Sequence, residues 1–157
     1  MWQILNANGC TPQKSLTLKF PKIELFKNAQ LVFHFIRGYW DGDGCLSYSN
    51  KEHTRAEISV IGTDEILNPI ITLICPDIKP TLHILHPESQ SITKYFNISG
   101  VNAYNTISKL YKNSTIYLQR KYEKYLEYCR LYEESYKELQ TKIGEGCDAN
   151  PEVTTET

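Results

Sequence analysis

The chain has 157 residues, 41% hydrophobic and 22% charged, with a formal net charge of -1; these values fit an ordinary globular domain with room for one core. No run approaches the ~18 consecutive apolar residues of a membrane span. The start, MWQILNANGC, lacks the basic region and long apolar core of a signal peptide, so the expected location is the cytoplasm of a cell, an organelle or a phage host. Cys10, Cys45, Cys75, Cys129 and Cys147 stand singly, which excludes a CxxC redox pair and zinc spacing and predicts reduced, mostly buried thiols. Up to Tyr122 there are 13 Lys and Arg against 9 Asp and Glu, and after it 4 against 9. A modestly basic body therefore precedes an acidic end, a distribution that suits a polyanionic partner.

Residues 1–29 form a lead-in: a short apolar start, the punctuated NGCTP, and the alternating run Lys14 to Phe20, closed by Pro21. Alternation of this kind predicts a strand. From Gln30 to Gly44 the apolar positions fall on two helical faces. Leu31, Phe35, Gly38, Tyr39 and Gly42 make one; Val32, Phe33, Ile36 and Trp40 make the other. A helix apolar around most of its circumference belongs at the centre of its domain.

CLSYS and RAEISVI, separated by the polar SNKEHT, then predict a hairpin. A short helix is expected within Gly62 to Pro76, capped by Thr63 or Asn68, with Pro69 favouring Asn68 or else a kink. Two more strands follow, Thr81 to His86 and Ser91 to Ser99, joined by PESQ, and then a helix from Val101 to about Lys112. After Asn113 and Ser114, a long amphipathic helix runs from Tyr117 to Gln140 with a tyrosine-rich stripe that reads as packing surface. Residues 141–157 are rich in Gly, Glu and Thr and read as a disordered acidic tail. Residues 30–140 thus make the domain proper. The element order is helix, two strands, helix, two strands, helix, helix, and the fold class is α+β: helices on one face of a four-stranded antiparallel sheet whose other face stays open.

The chemistry concentrates in Asp41-Gly42-Asp43-Gly44. Carboxylates at the C-terminal end of a helix lose roughly 0.3 to 1 kcal/mol each to the dipole, so local stability does not explain the two Asp residues. A bare DGDG is also compatible with a plain glycine-terminated helix. An EF-hand register places Asp41, Asp43 and Glu52 at positions 1, 3 and 12, but Cys45 and Leu46 then occupy positions 5 and 6, where an oxygen ligand and Gly are needed. A divalent cation held by carboxylate, carbonyl, water and phosphate oxygens would account for the two Asp residues. Gly38 and Gly42, four residues apart, would allow a second helix to come close.

The nine-residue string Ile36 to Gly44, IRGYWDGDG, resembles the LAGLIDADG motif in its Gly, its two Asp, its final Gly and their spacing. Its flanks, Gly9 to Pro21, Ile58 to Glu65 and Ile98 to Tyr122, are similar to the surroundings of that motif in bacterial and phage-type members of the family of homing endonucleases. The resemblance implies an αββαββα half-saddle whose sheet lies in the major groove of double-stranded DNA, with an intron-homing role. It implies site-specific, Mg²⁺- or Mn²⁺-dependent double-strand cleavage, in which Asp43 binds metal, Gly42 donates its carbonyl, and Asp41 finishes the helix. A basic residue near the phosphate is expected where this chain has Leu118-Gln119-Arg120-Lys121, and Lys121 is the candidate, ahead of Arg120. Lys51, Arg55 and Asn97 on the open sheet face, and Lys14 in the lead-in, are the candidate DNA contacts.

With one motif, the site is completed by a homodimer or by a separate chain. The lead-in resembles the end of a first repeat, which keeps a truncated half-enzyme open. So does a module that binds DNA or assists RNA splicing without cutting.

Overall fold

The computed structural model describes residues 2–7, 17–89 and 91–147. Helix α1 spans Trp2–Ala7 and α2 spans Ala29–Asp43. Strands β1 (Gly44–Tyr48) and β2 (Ala56–Gly62) lead to α3 (Asp64–Ile74). Then come β3 (His83–Ile84), β4 (Lys94–Ser99), α4 (Gly100–Tyr111) and the long α5 (Gln119–Cys147). The fold is α+β, with one antiparallel sheet in the order β1-β2-β4-β3.

Register decides what the sheet covers. Leu46, Ala56, Ile58, Val60, Phe96 and Ile98 are buried on one face. Burying each of the Leu, Ile, Val and Phe side chains among them contributes about 1.5 to 3 kcal/mol. They pack into one core with Val32, Ile36 and Trp40 of α2, Ile66 to Ile74 of α3, and Ala103, Ile107 and Leu110 of α4. The intervening positions, Cys45, Ser47, Glu57, Ser59, Tyr95 and Asn97, lie on the other, open face. Helix α2 begins where Asn28 caps it: the Asn28 side chain accepts a hydrogen bond from Leu31 N at 3.0 Å.

Four expectations need correction. The described part of Lys14 to Phe20 is not a strand: Leu18 O accepts from Thr63 Oγ1 (3.4 Å), and Phe20 N donates to Glu65 O (3.2 Å). The reason is Pro69. Helix α3 starts after Thr63 and carries Pro69 in its interior. Proline offers no N–H to the carbonyl four residues earlier, so the Glu65 carbonyl is open to Phe20. The alternation is real, but it places Leu18 and Phe20 against the core rather than in a ladder, with Phe20 edge-on to Phe35 at 5.2 Å.

The third strand is two residues long rather than six, because Lys79 and His86 take left-handed backbone (φ 45° and 61°) and Pro80 and Pro87 offer no donor. The last helix continues beyond Gln140 to Cys147, where the remaining residues meet only the modest cost of two glycines in a helix already nucleated; residues 148–157 lie outside the described set. Among the described residues the thiols are not mostly buried either: Cys75 is buried, Cys129 half-buried and Cys45 exposed. No described helix is long and apolar enough to cross a membrane.

The tyrosine stripe packs α5 onto α4 and β1. Tyr104 stacks on Tyr132 at 4.3 Å, Tyr111 on Tyr125 at 4.8 Å, and Tyr117 on Tyr122 at 3.9 Å. Burial pushes Tyr39, Tyr48, Tyr125 and Tyr128 up to about 12, from an ordinary value of 10.0.

Between pH 10 and 12 the folded chain therefore keeps phenolic protons that the unfolded chain releases, and stability falls as pH rises through that window. Urea midpoints measured from pH 8 to 11 should be flat and then drop. Separately, Phe20→Ala should lower stability by about 2 kcal/mol, roughly half the cost for a fully buried Phe, in the same urea assay. A value within the noise would place the lead-in off the core.

Candidate metal and nucleic-acid site

The end of α2 gathers the features that the sequence singled out. Asp43 is its last residue and is exposed, and no hydrogen bond or ion pair engages its carboxylate among the described residues. Gly42 beside it is exposed, and its carbonyl is one of the last four of the helix, which lack an intrahelical partner. Gly38 and Gly42 each have nothing within 4 Å of where a Cβ would stand, and Leu31, on the same face, is 38% exposed. This face of α2 is open.

Asp41, by contrast, is buried. Its Oδ1 accepts from Tyr111 Oη at 2.7 Å and its Oδ2 from Leu118 N at 2.9 Å. Tyr111 Oη in turn accepts from Trp40 Nε1 at 3.3 Å. Both carboxylate oxygens are thus committed to tying α2 to the end of α4 and the start of α5. The Tyr111 hydroxyl is driven far above its ordinary range, by burial first and then by its bond to Asp41.

Lys121 reaches the same place from α5. Its Nζ donates to Trp40 O at 2.7 Å and to Gly44 O, and it sits 5.3 Å from the Trp40 ring centroid. An ammonium on the terminal carbonyls of a helix is favourable, as the dipole requires. Burial lowers the Lys121 pKa, with the Arg120 charge adding to the effect, while Asp41 and Asp43 oppose it. Gln119 bonds Glu123 at the surface (2.8 Å) and Arg120 is exposed. Of the three, Lys121 alone points into the α2 end.

Two contributors escaped the sequence reading, and a third, Gly44, has a contact that the reading did not foresee. Arg37, an unremarkable motif position, is buried and binds Ile116 O (3.0 Å), Leu110 O (3.2 Å) and His34 Nδ1 (2.9 Å), so it finishes α4 from the side. Tyr111 gave no local signal beyond its place in a helical pattern. Gly44 matters because a methyl group there would overlap the Trp40 ring, a contact that sequence spacing cannot reveal.

The candidate DNA contacts divide. Asn97 is exposed on the open sheet face, and Lys51 and Arg55 are exposed in the β1–β2 connection, Arg55 directly before β2. Asn97 Nδ2 donates to Glu57 Oε2 at 2.9 Å. Lys14 lies outside the described residues. No group of three or more His, Cys, Asp or Glu side chains placed to hold a metal occurs among the described residues. The donors present are one exposed carboxylate and one carbonyl, which fits a cation that takes its other oxygens from water, phosphate or a second chain.

No family model matches the chain, and no curated protein matches it. Among solved structures, it is similar to the homing endonuclease I-CvuI in complex with its target (Sro1.3) in 2 mM Ca, with TM-score 0.45 and 18% identity. That match covers 65% of this chain and 66% of the other, just under two thirds. The same endonuclease with the I-CreI target (C1221) in 2 mM Mg, DNA not cleaved, gives TM-score 0.44 at 18% identity and the same coverage. The homing endonuclease I-TnaI gives TM-score 0.40 at 10% identity over 72% of this chain and 96% of that one.

Because Lys121 makes two hydrogen bonds to carbonyls from a buried position, Lys121→Met should cost about 2 to 3 kcal/mol. Gln119→Ala, at the surface, should stay within about 0.5 kcal/mol. Urea unfolding of both variants measures the contrast, and equal effects would remove Lys121 from its anchoring role.

Proposed function

We propose that this chain is one half of a LAGLIDADG-type, site-specific DNA endonuclease, completed when a second motif helix, from a second copy or a separate chain, packs on Gly38 and Gly42. The observation that carries the proposal is Asp43. Its carboxylate stands exposed and unbonded at the end of a helix whose glycine face is open, while Asp41 two residues away is consumed by structure. A carboxylate kept free at the unfavourable end of a helix dipole calls for a cation.

In this reading Asp43 and the Gly42 carbonyl hold Mg²⁺ or Mn²⁺. When bound, such an ion lowers the pKa of water and stabilises charge on a scissile phosphate. The chain's own residues do the rest: Lys121 and Tyr111 fix the helix end, and the open sheet face, with Lys51 and Arg55 at one end, lies along the duplex. Pairing two α2 helices brings two Asp43 residues near each other, and their mutual repulsion makes a cation between them more favourable still.

A second reading, DNA binding or RNA-splicing assistance without cleavage, draws on a specific observation. Gln119 replaces the expected first lysine, and the Lys121 ammonium is spent on carbonyls. The two readings share the binding face and differ in scission.

Asp43→Asn is a clean discriminator, since an exposed, unbonded side chain should change stability by less than about 0.5 kcal/mol. The wild-type chain should nick or linearise a plasmid library carrying the target in Mg²⁺ and not in EDTA, and the variant should do neither. Salt-sensitive binding without any metal-dependent scission would favour the second reading. Gly38→Val should leave the monomer folded but shift sedimentation of the wild-type assembly toward monomer; unchanged sedimentation would remove the glycine face from the interface.

A further inference from the structure

The open sheet face carries one polar contact that its role as a bare solvated surface does not require. Glu57 is half-buried near the start of β2, opposite Ser47 of β1 on one side and Ser99 of β4 on the other. Two residues away in register, Asn97 faces Ser59, which faces Cys45. The diagonal hydrogen bond from Asn97 Nδ2 to Glu57 Oε2 is 2.9 Å long. Among the described residues no cation forms an ion pair with Glu57.

The chemistry of the pair fixes its orientation. An ionised carboxylate only accepts, so the amide must turn its nitrogen toward Glu57 and its carbonyl oxygen away. What remains for a ligand is Glu57 Oε1, an acceptor bearing negative charge, beside Asn97 Oδ1 and the second Asn97 N–H, framed by the hydroxyls of Ser47, Ser59 and Ser99. One amide hydrogen holds Glu57, and the other, with Oδ1, stays available to a neighbouring base. A lone negative charge on a surface meant for phosphates is unfavourable everywhere except where a base donor meets it.

In the major groove guanine offers only acceptors and thymine an acceptor and a methyl group, while cytosine offers an N4 amino donor and adenine pairs its N6 donor with an N7 acceptor. The anionic acceptor Glu57 Oε1 matches the one N4 hydrogen that cytosine keeps free of base pairing, and it meets a repelling acceptor, N7 or O4, on each of the other three bases. We propose that Glu57, with its orientation held by Asn97, selects cytosine at one position of the bound duplex. This rests on the reading of the open face as the DNA surface; it adds which residue discriminates and for which base.

The test is selection of bound duplexes from a randomised library by the full chain, compared with Glu57→Gln, Asn97→Ala and Glu138→Gln. Glu138 is exposed near the end of α5 and controls for net charge. The wild-type chain should enrich cytosine at one position by roughly fivefold or more, the lower end of the discrimination that a good side-chain–base contact gives. Glu57→Gln should erase that preference while raising affinity for duplexes of arbitrary sequence. Asn97→Ala should weaken the preference, and Glu138→Gln should leave it intact. Identical preferences in the wild type and Glu57→Gln, or enrichment of another base that depends on Glu57, would overturn the inference while leaving DNA binding in place. Absence of any salt-sensitive duplex binding would overturn both it and the reading of the face.

Discussion

Everything of interest in this molecule depends on how the C-terminal end of α2 is held. The helix ends in exposed carbonyls with partial negative charge, and the sequence adds Asp41 and Asp43 to the same end, so three unfavourable terms coincide. Two anchors offset them. Lys121 places a buried ammonium on the carbonyls of Trp40 and Gly44, and Asp41 gives both its oxygens to Tyr111 and the Leu118 amide. Trp40 joins the two, with its ring beneath Gly44 and near Lys121 and its Nε1 on Tyr111. The result separates two adjacent carboxylates by role: one is locked into the fold, and the other is left in solvent with nothing bonded to it.

The same anchoring organises the sheet. Because β1 starts at Gly44, the residue directly after α2, fixing the helix end also fixes the phase of β1, and through it the register that sends Leu46, Ile58 and Phe96 inward. A slip of one residue would exchange every inward and outward side chain. The open face, with its Glu57 and Asn97, is therefore positioned by contacts made on the other side of the sheet.

Most of the architecture was legible because its signals are periodic. The α2 and α4 helices, the first hairpin and the α5 stripe follow from spacings of two and of three to four residues. What failed was non-periodic or non-local. Lys14 to Phe20 alternates like a strand, yet the described part bonds to α3, because Pro69 frees a carbonyl 45 residues from Phe20 in the chain. The second hairpin has strand-like composition, but left-handed Lys79 and His86 cut it short. At the site, Asp43 and the glycine face could be named from the motif alone. Arg37 and Tyr111 could not, since their partners are distant carbonyls and a carboxylate, and no spacing in one segment encodes them.

The bonds that finish the α2 end also set when it can be finished. Tyr111, Leu118 and Lys121 reach their partners across 70, 77 and 81 residues of chain, and contacts of such separation form only after the entropy of closing the loop has been overcome. During synthesis from the N-terminus, α2 emerges well before its anchors. A growing chain possesses the acidic helix before it possesses the platform that holds its end, so Asp43 is set in its outward position only once α5 has docked.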